Sequence, residues 1–183
     1  MRNLTLANQL TILRIVMVPA FVLLVVYDRL GAALLVFVAA GVTDALDGLI
    51  ARRAGQKTTL GAWLDPMADK LLLVSAFIVL TVPDIGLRFR LPVWLTILVI
   101  SRDLAIVLTV AVVNLAIGRR TFAPSLLGKT ATAVYIATCM AVLLANYLDG
   151  GGQVVDAFVT VAAAITVLSA LHYLGRVARV INQ

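Results

Sequence analysis

The stretch VTDALDGLIARRAGQKTTLGAWLDPMADK, Val42 to Lys70, places four aspartates among long apolar runs. The chain has 183 residues, of which 62% are hydrophobic and 13% are charged, and its mean hydropathy is +1.07. A soluble domain of this size usually has about a quarter of its residues charged. The composition therefore indicates an integral membrane protein, in which four clustered carboxylates need a physical cause.

Apolar segments long enough to cross a bilayer as helices recur along the whole chain. Turn-like sequences separate several of them, including TVPDIG at 81–86 and LDGGGQ at 148–153. We therefore predict an all-α integral membrane protein with one domain over residues 1–183 and about six transmembrane helices. The predicted segments are 9–27, 30–51, 64–82, 91–117, 125–146 and 154–175.

The distribution of basic residues predicts the orientation. With six crossings, one set of loops and termini carries eight basic residues and the opposite loops carry three, namely Arg29, Arg88 and Arg90. Lys and Arg concentrate on the cytoplasmic side of membrane proteins. We therefore expect both termini, and the aspartate-rich end of the second segment, at the cytoplasmic side. The net charge of +6 is scattered through short loops, which favours anionic lipids or phosphate substrates over nucleic acid.

The spacing of the aspartates predicts a shared site. Asp44 and Asp47 lie about 60° apart on a helix, and Asp65 and Asp69 about 40° apart, because each residue turns the helix by about 100°. The two helices are joined by a short connection, so their ends can bring both pairs together. Oxygen-only ligands suit Mg²⁺ or Mn²⁺ rather than zinc. The alternative is a structural ion-pair network with Arg52, Arg53 and Lys70.

Small residues accompany the aspartates. Gly48 and Ala51 share a stripe of the helix with Asp44, and Gly61 precedes Asp65 by four positions. This stripe leaves a slot in which a nucleotide or a pyrophosphate can approach the backbone. Close packing of two helices through small residues is the alternative explanation.

Together these residues read Asp44-x-x-Asp47-Gly48-x-x-Ala51-Arg52, eight residues, Gly61-x-x-x-Asp65-x-x-x-Asp69, which we call the aspartate signature. It resembles the signature of the CDP-alcohol phosphatidyltransferases at every fixed position. The resemblance implies a homodimeric six-helix membrane enzyme, with residues 1–183 as its single domain. Such an enzyme moves a phosphatidyl group from CDP-diacylglycerol to an alcohol and releases CMP. A bacterial inner membrane is the expected location, with the active site towards the cytoplasm.

The resemblance also assigns roles by position. The four aspartates would hold one or two Mg²⁺ or Mn²⁺ ions, and Asp65 and Asp69 would be catalytic, with Asp69 as the base for the acceptor hydroxyl. The CDP pocket would be formed by Asp44, Gly48, Ala51, Arg52 and Gly61.

Three further stretches, NQLTILRIVMVP, ISRDLAI and SLLGKTATA, resemble the glycerol-acceptor branch, which comprises phosphatidylglycerophosphate synthases and CMP-forming cardiolipin synthases. Candidate ligands for the acceptor phosphate are Arg14, Arg102, Lys129, Arg119 and Arg120. Snorkelling or pairing, for instance of Arg102 with Asp103, is the alternative for the cations within predicted spans.

The choice of acceptor is nearly balanced. Asp103, Val110 and Ala131 stand where the glycerophosphate branch usually has Glu, Arg and Lys, which removes phosphate-binding charge. We expect glycerol 3-phosphate as the acceptor, with phosphatidylglycerol as the alternative. A cation transporter is a remote alternative, because its charges would be distributed along a pore instead of clustered towards one side.

Overall fold

The computed structural model describes the backbone of residues 6–54, 70–116 and 126–181. It describes the side chains of residues 12–43, 70–109, 112, 115 and 126–175. Within these ranges the chain is all-helical. The helices are α1 (Leu6–Val26), α2 (Leu30–Ala54), α3 (Lys70–Val79), α4 (Val93–Ala116), α5 (Leu126–Tyr147) and α6 (Gly152–Ile181).

The all-helical prediction is confirmed for the described residues. Four predicted segments, 9–27, 30–51, 91–117 and 125–146, start and end within about three residues of a described helix. Helix α2 continues to Ala54 instead of ending at residue 51, and α6 continues to Ile181 instead of 175. Two described helices, Leu126–Tyr147 and Gly152–Gly175, are long and apolar enough to cross a membrane. The count of six crossings and their orientation stay predictions.

The chain separates into two compact units. The first comprises Met1–Arg90 and Val142–Gly150, and the second comprises Leu91–Ala141 and Gly151–Gln183. The first unit thus contains α1, α2, α3 and the last residues of α5. The second contains α4, α6 and the remainder of α5.

In the first unit, α1 and α2 form an antiparallel hairpin. The connection is short because Asp28, two residues after the end of α1, adopts the left-handed conformation at φ 56°. This turn lets the Arg29 amide donate to the Leu24 carbonyl at 2.8 Å and the Asp28 amide donate to Val25 at 3.1 Å. These bonds satisfy carbonyls that a helix end otherwise leaves without a partner. The break between the predicted segments 9–27 and 30–51 is therefore confirmed.

The α1–α2 interface has a regular register. Buried residues recur along α1 at Arg14, Val18, Phe21 and Val25, and along α2 at Ala33, Phe37 and Ala40, in steps of three and four. The rings of Phe21 and Phe37 lie 5.4 Å apart between centroids. Steps of three and four keep residues on one side of a helix, so each helix presents one continuous stripe to the interior of the unit.

In the second unit, α4 and α6 run parallel. Arg102 Nε donates to Ser169 Oγ at 3.1 Å, and one turn further along both helices Tyr173 Oη donates to the Ile106 carbonyl at 3.4 Å. Both contacts join residues 67 positions apart in sequence, as a parallel pair in constant register requires. Helix α5 joins α6 through a 2.7 Å hydrogen bond between Tyr135 Oη and Thr166 Oγ1.

Asn146 ties the segment before α4 to the end of α5 within the first unit. Its amide nitrogen donates to the Phe89 carbonyl at 2.7 Å and to the Val142 carbonyl at 2.8 Å, while its oxygen accepts from the Phe89 amide at 3.0 Å. One side chain therefore forms hydrogen bonds with both the backbone amide and the backbone carbonyl of Phe89. The nearby ion pair of Arg88 with Asp149, at 2.7 Å, is 64% and 77% exposed.

We expect Asn146→Ala to lower the free energy of unfolding by about 1 to 3 kcal/mol, because it leaves partly buried backbone groups of Phe89 without hydrogen bonds. Thermal unfolding of the purified protein in detergent measures the change. The matched control is Arg88→Ala in the same region, for which we expect at most about 1 kcal/mol because the ion pair is exposed. An equal loss of stability in both variants would contradict the role given to Asn146.

Candidate functional site

The first half of the aspartate signature lies on the C-terminal part of α2. The backbone of this helix includes positions 44, 47, 48, 51 and 52, whose side chains are outside the described residues. The buried stripe of α2, namely Ala33, Phe37 and Ala40, continues in the same steps of four and three to positions 44, 47 and 51. By helical periodicity these backbone positions therefore fall on the same stripe of α2.

The second half of the signature lies outside the described residues. This applies to Gly61, Asp65 and Asp69. The prediction that the two aspartate pairs converge on one metal site therefore stays a prediction, as do the roles given to Asp65 and Asp69. The described chain resumes at Lys70, the first described residue of α3, whose side chain is exposed.

Arg14 is buried inside the first unit, with only 1% of its surface exposed. It belongs to the buried stripe of α1, seven residues before Phe21, which contacts Phe37. Seven residues beyond Phe37 on α2 is position 44. Because α1 and α2 are antiparallel, equal steps from the Phe21–Phe37 contact bring Arg14 level with the first position of the signature. The burial of Arg14 also contradicts the alternative in which this side chain snorkels to the interface.

Arg102 lies within α4 as half of an ion pair. Its Nη1 donates to Asp103 Oδ1 at 2.7 Å, and the two side chains are 10% and 20% exposed. This confirms the pairing that the sequence offered as the alternative to a free phosphate ligand. Adjacent positions on a helix point in directions about 100° apart, so the pair forms because the long arginine side chain bends towards Asp103.

Hydrogen bonds of buried hydroxyl groups connect Arg102 to α6, and α6 to α5. Ser169 Oγ donates its proton to the Thr166 carbonyl at 3.0 Å, so it acts as an acceptor towards Arg102 Nε. Thr166 Oγ1 likewise donates to the Ala162 carbonyl at 2.6 Å, so Tyr135 is the donor in the contact between their hydroxyls. The direction of each bond follows from the single proton on each hydroxyl.

Sequence reasoning missed Ser169, Thr166 and Tyr135. Their signal is present in the sequence: Thr166 and Ser169 are three positions apart in an otherwise apolar stretch of α6 and therefore share a face. Both are buried, at 0% and 1% exposure. Polar residues that recur on one face of an apolar helix indicate hydrogen bonding between helices.

The other candidate cations are placed differently. Lys129, in the first turns of α5, is exposed, whereas Ala131 two positions later is fully buried. Arg119 and Arg120 are outside the described residues. Because Ala131 is fully buried, a basic side chain at position 131 would need room that the packing around Ala131 does not provide. Among the candidates for phosphate binding, Arg14 and Arg102 are the described ones with restricted exposure.

A cavity of about 440 Å³ occurs in the first unit, at the opposite end of α2 from the signature. It is lined by Asp28, Arg29, Leu30, Gly31, Ala32, Asn146 and Tyr147. Position 44 lies about 20 Å further along the axis of α2, given a rise of about 1.5 Å per residue. This cavity is therefore separate from the place where the signature begins.

Comparison with known proteins identifies the family. The CDP-alcohol phosphatidyltransferase family model matches residues 4–171, a span that includes the aspartate signature. A probable phosphatidylglycerophosphate synthase of Mycobacterium tuberculosis is 38% identical over 187 residues, which cover 97% of this chain and 84% of the relative.

Two further relatives represent the two kinds of acceptor. The CMP-forming cardiolipin synthase of Homo sapiens is 32% identical over 198 residues, covering 97% of this chain and 64% of the relative. A Bacillus subtilis protein named CDP-diacylglycerol--glycerol-3-phosphate 3-phosphatidyltransferase is 33% identical over 156 residues, covering 77% of each.

These matches decide between an enzyme and a cation transporter in favour of the enzyme. The long apolar helices agree with an integral membrane protein. The chain is a phosphatidyltransferase and belongs to the CDP-alcohol phosphatidyltransferase family.

Proposed function

We propose that the chain transfers the phosphatidyl group of CDP-diacylglycerol to glycerol 3-phosphate, forming phosphatidylglycerophosphate and releasing CMP. The observation that carries this proposal is the complete aspartate signature in a chain that matches the family over residues 4–171. A relative named as a probable phosphatidylglycerophosphate synthase aligns with 97% of the chain, which supports glycerol 3-phosphate as the acceptor.

In the proposed reaction the acceptor hydroxyl attacks the phosphorus that carries the diacylglycerol. A bond forms between this phosphorus and the acceptor oxygen, the bond to the oxygen of CMP breaks, and the hydroxyl proton passes to a carboxylate. We assign that proton to Asp69, with Asp65 beside it as the second catalytic carboxylate. A carboxylate that also binds a metal is a weaker base, so the metal role of Asp69 comes first and the base role second.

The same four carboxylates suit a divalent cation. Asp44, Asp47, Asp65 and Asp69 offer only oxygen atoms, as Mg²⁺ and Mn²⁺ require. Positions 44 and 47 both belong to helix α2 and are three residues apart, a spacing that supports their acting as a pair. A bound cation supplies neutralisation of the pyrophosphate and of the departing CMP.

The CDP pocket is proposed beside this stripe. Gly48 and Ala51 leave the α2 backbone accessible, Gly61 does the same for the following segment, and Arg52 supplies positive charge for the pyrophosphate. Arg14, which is buried and level with position 44, adds a cation to the same end of the α1–α2 hairpin. We propose that Arg14 binds the acceptor phosphate there, because it is a buried cation level with the first position of the signature.

Phosphatidylglycerol is the second candidate acceptor, and one structural observation favours it. Glycerol 3-phosphate is a dianion that calls for at least two cations. Asp103 neutralises Arg102, and Ala131 is fully buried in place of a lysine. The acceptor phosphate would then depend on Arg14, Lys129 and the Arg119–Arg120 pair. Phosphatidylglycerol, whose phosphate has a single charge, places a smaller demand on these residues.

The arrangement in the membrane completes the proposal. Six crossings, with both termini in the cytoplasm, place the signature near the cytoplasmic face of a bacterial inner membrane, where CDP-diacylglycerol enters from the bilayer. The excess of basic residues on that side supports the orientation. We propose a homodimer, with residues 1–183 as the single domain of each subunit.

Substitution of the signature aspartates tests the proposed site. We expect Asp44→Ala, Asp47→Ala, Asp65→Ala and Asp69→Ala each to reduce CMP release from CDP-diacylglycerol by at least about 100-fold, because even partners outside the ligand set of a metal typically matter 10- to 100-fold. Release of CMP by membrane fractions with equal protein content measures this. Asp156→Ala is the control, since Asp156 is exposed near the start of α6. Full activity in any signature variant would remove that residue from the site.

Removal of divalent cations tests the proposed metal dependence. Treatment with EDTA should abolish CMP release, and Mg²⁺ or Mn²⁺ added in excess should restore it, whereas Ca²⁺, which prefers a larger and more irregular shell, should restore less. Activity that survives exhaustive chelation would contradict a metal-dependent reaction.

The lipid product formed from each candidate acceptor tests the choice of acceptor. Purified enzyme given CDP-diacylglycerol, Mg²⁺ or Mn²⁺, and glycerol 3-phosphate or phosphatidylglycerol in separate reactions should form phosphatidylglycerophosphate in the first. Arg14→Gln should then raise the KM for the acceptor about tenfold or more, since a charge-assisted phosphate contact contributes roughly 1.5 to 3 kcal/mol. Cardiolipin as the sole lipid product, with glycerol 3-phosphate unused, would reverse the order of the two acceptors.

A further inference from the structure

We propose that the cavity at the start of α2 binds the phosphoethanolamine headgroup of a zwitterionic membrane phospholipid. The cavity has a volume of about 440 Å³ and is lined by Asp28, Arg29, Leu30, Gly31, Ala32, Asn146 and Tyr147, all of which belong to the first unit. This volume lies within the range of roughly 300 to 1,000 Å³ that is usual for sites that bind small molecules. The site is separate from the signature, and its occupant does not depend on which acceptor the enzyme uses.

The cavity lies where helices of the first unit leave the apolar part of the membrane. Helix α5, which is long and apolar enough to cross a membrane, ends at Tyr147. Helix α1 ends at Val26, and α2 begins at Leu30 beside the same cavity. A tyrosine at the end of a spanning helix is typical of the headgroup level of a bilayer. The molecules that surround the cavity are therefore membrane lipids, whose headgroups are at its level.

Two walls of the cavity are fixed by contacts within the first unit. Asn146 donates to the carbonyls of Phe89 and Val142, at 2.7 and 2.8 Å, and accepts from the Phe89 amide at 3.0 Å. The ring of Tyr147 lies against the α2 backbone at Gly31, where an added Cβ would be only 2.8 Å from Cε2 of Tyr147. Glycine at position 31 permits this close contact. The cavity is thus formed without its ligand, as is usual for small-molecule sites.

The cavity carries one charge of each sign. Asp28 and Arg29 are exposed, and neither side chain forms an ion pair or a hydrogen bond with a residue in the described parts of the chain. Arg88 of the same unit is instead paired with Asp149, at 2.7 Å. The phosphodiester of a phosphoethanolamine headgroup is complementary to Arg29, and its ammonium group can donate hydrogen bonds to Asp28. A phosphoglycerol headgroup also suits Arg29, but its net negative charge is repelled by Asp28.

Lipid retention by the purified full-length protein tests the proposal. The delipidated protein in detergent is given equal amounts of phosphatidylethanolamine and phosphatidylglycerol with matched acyl chains, and native mass spectrometry counts the bound lipids. We expect wild-type protein to retain phosphatidylethanolamine about fivefold better, an effect on the scale of one charge near a membrane surface. Phosphatidylcholine, whose quaternary ammonium has no N–H to donate, should be retained less well than phosphatidylethanolamine.

Charge substitutions at the cavity should change this preference in two different ways. Asp28→Asn should bring the two lipids to within about twofold of each other, because it removes the charge that repels phosphatidylglycerol. Arg29→Gln should lower the retention of both lipids about fivefold, since both carry a phosphodiester. The matched controls are Asp84→Asn and Arg90→Gln, which make the same charge changes at exposed positions of the first unit outside the cavity lining. Both controls should retain the lipids as wild-type protein does.

A substitution that leaves the charge unchanged separates this site from general attraction at the surface. Ala32→Trp places a large side chain at a lining position and should lower the retention of phosphatidylethanolamine as much as Arg29→Gln does. If Asp28→Asn is not recovered as a monodisperse protein, Asp28→Gly carries the same test, because glycine also adopts the left-handed conformation found at this position, φ 56°.

Two results would overturn the proposal. Equal retention of both lipids by wild-type protein, or a preference that persists in Asp28→Asn and Ala32→Trp, would indicate that lipids surround the protein without a specific site. Displacement of phosphatidylethanolamine by millimolar glycerophosphoethanolamine would show that the ligand is a soluble zwitterion instead of a lipid. Retention is measured without CDP-diacylglycerol, so it can fail while CMP release by wild-type protein succeeds, and the reverse outcome would contradict the proposed function alone.

Discussion

An ionised side chain in an apolar helix is stable only where an opposite charge or a set of hydrogen bonds replaces the water it has lost. This requirement explains where the buried charges of the described structure lie. Arg102 lies against Asp103 and Ser169, and Arg14 lies in the stripe along which α1 packs on α2. The positions of the signature aspartates on α2 continue that stripe. The charged side chains that are buried within the described helices thus lie on a few faces.

The two units meet this requirement in different ways. In the second unit the charges of Arg102 and Asp103 cancel within one turn of α4, and hydroxyl groups on α6 orient the pair. In the first unit the cation is on α1 and the signature positions are on α2, seven residues from the Phe21–Phe37 contact in each case. The second unit thus pairs opposite charges on one helix. The first unit places a buried cation on α1 level with a position of α2 that the family pattern reserves for metal and nucleotide.

Much of this could be predicted from the sequence. The lengths of the apolar segments predicted the helices, because a span and its turns are local features, and the spacing of the aspartates indicated the family that the comparisons then identified. The contacts between segments distant in sequence could not be predicted. Ser169 reaches Arg102 across 67 positions, and Asn146 reaches Phe89 across 57. Such pairs depend on how distant segments pack against each other, which a single sequence does not specify.

The tight turn between α1 and α2 has a consequence for how the protein enters the membrane. The amides of Tyr27, Asp28 and Arg29 all donate to carbonyls of the last turn of α1, so the apex exposes few backbone groups that lack a partner. A polar backbone group is carried through hydrocarbon at lower cost when it is already hydrogen-bonded. In the six-crossing arrangement that we predict, helices α1 and α2 are therefore suited to insert together as one hairpin, with Arg14 and the signature positions at the same end of it.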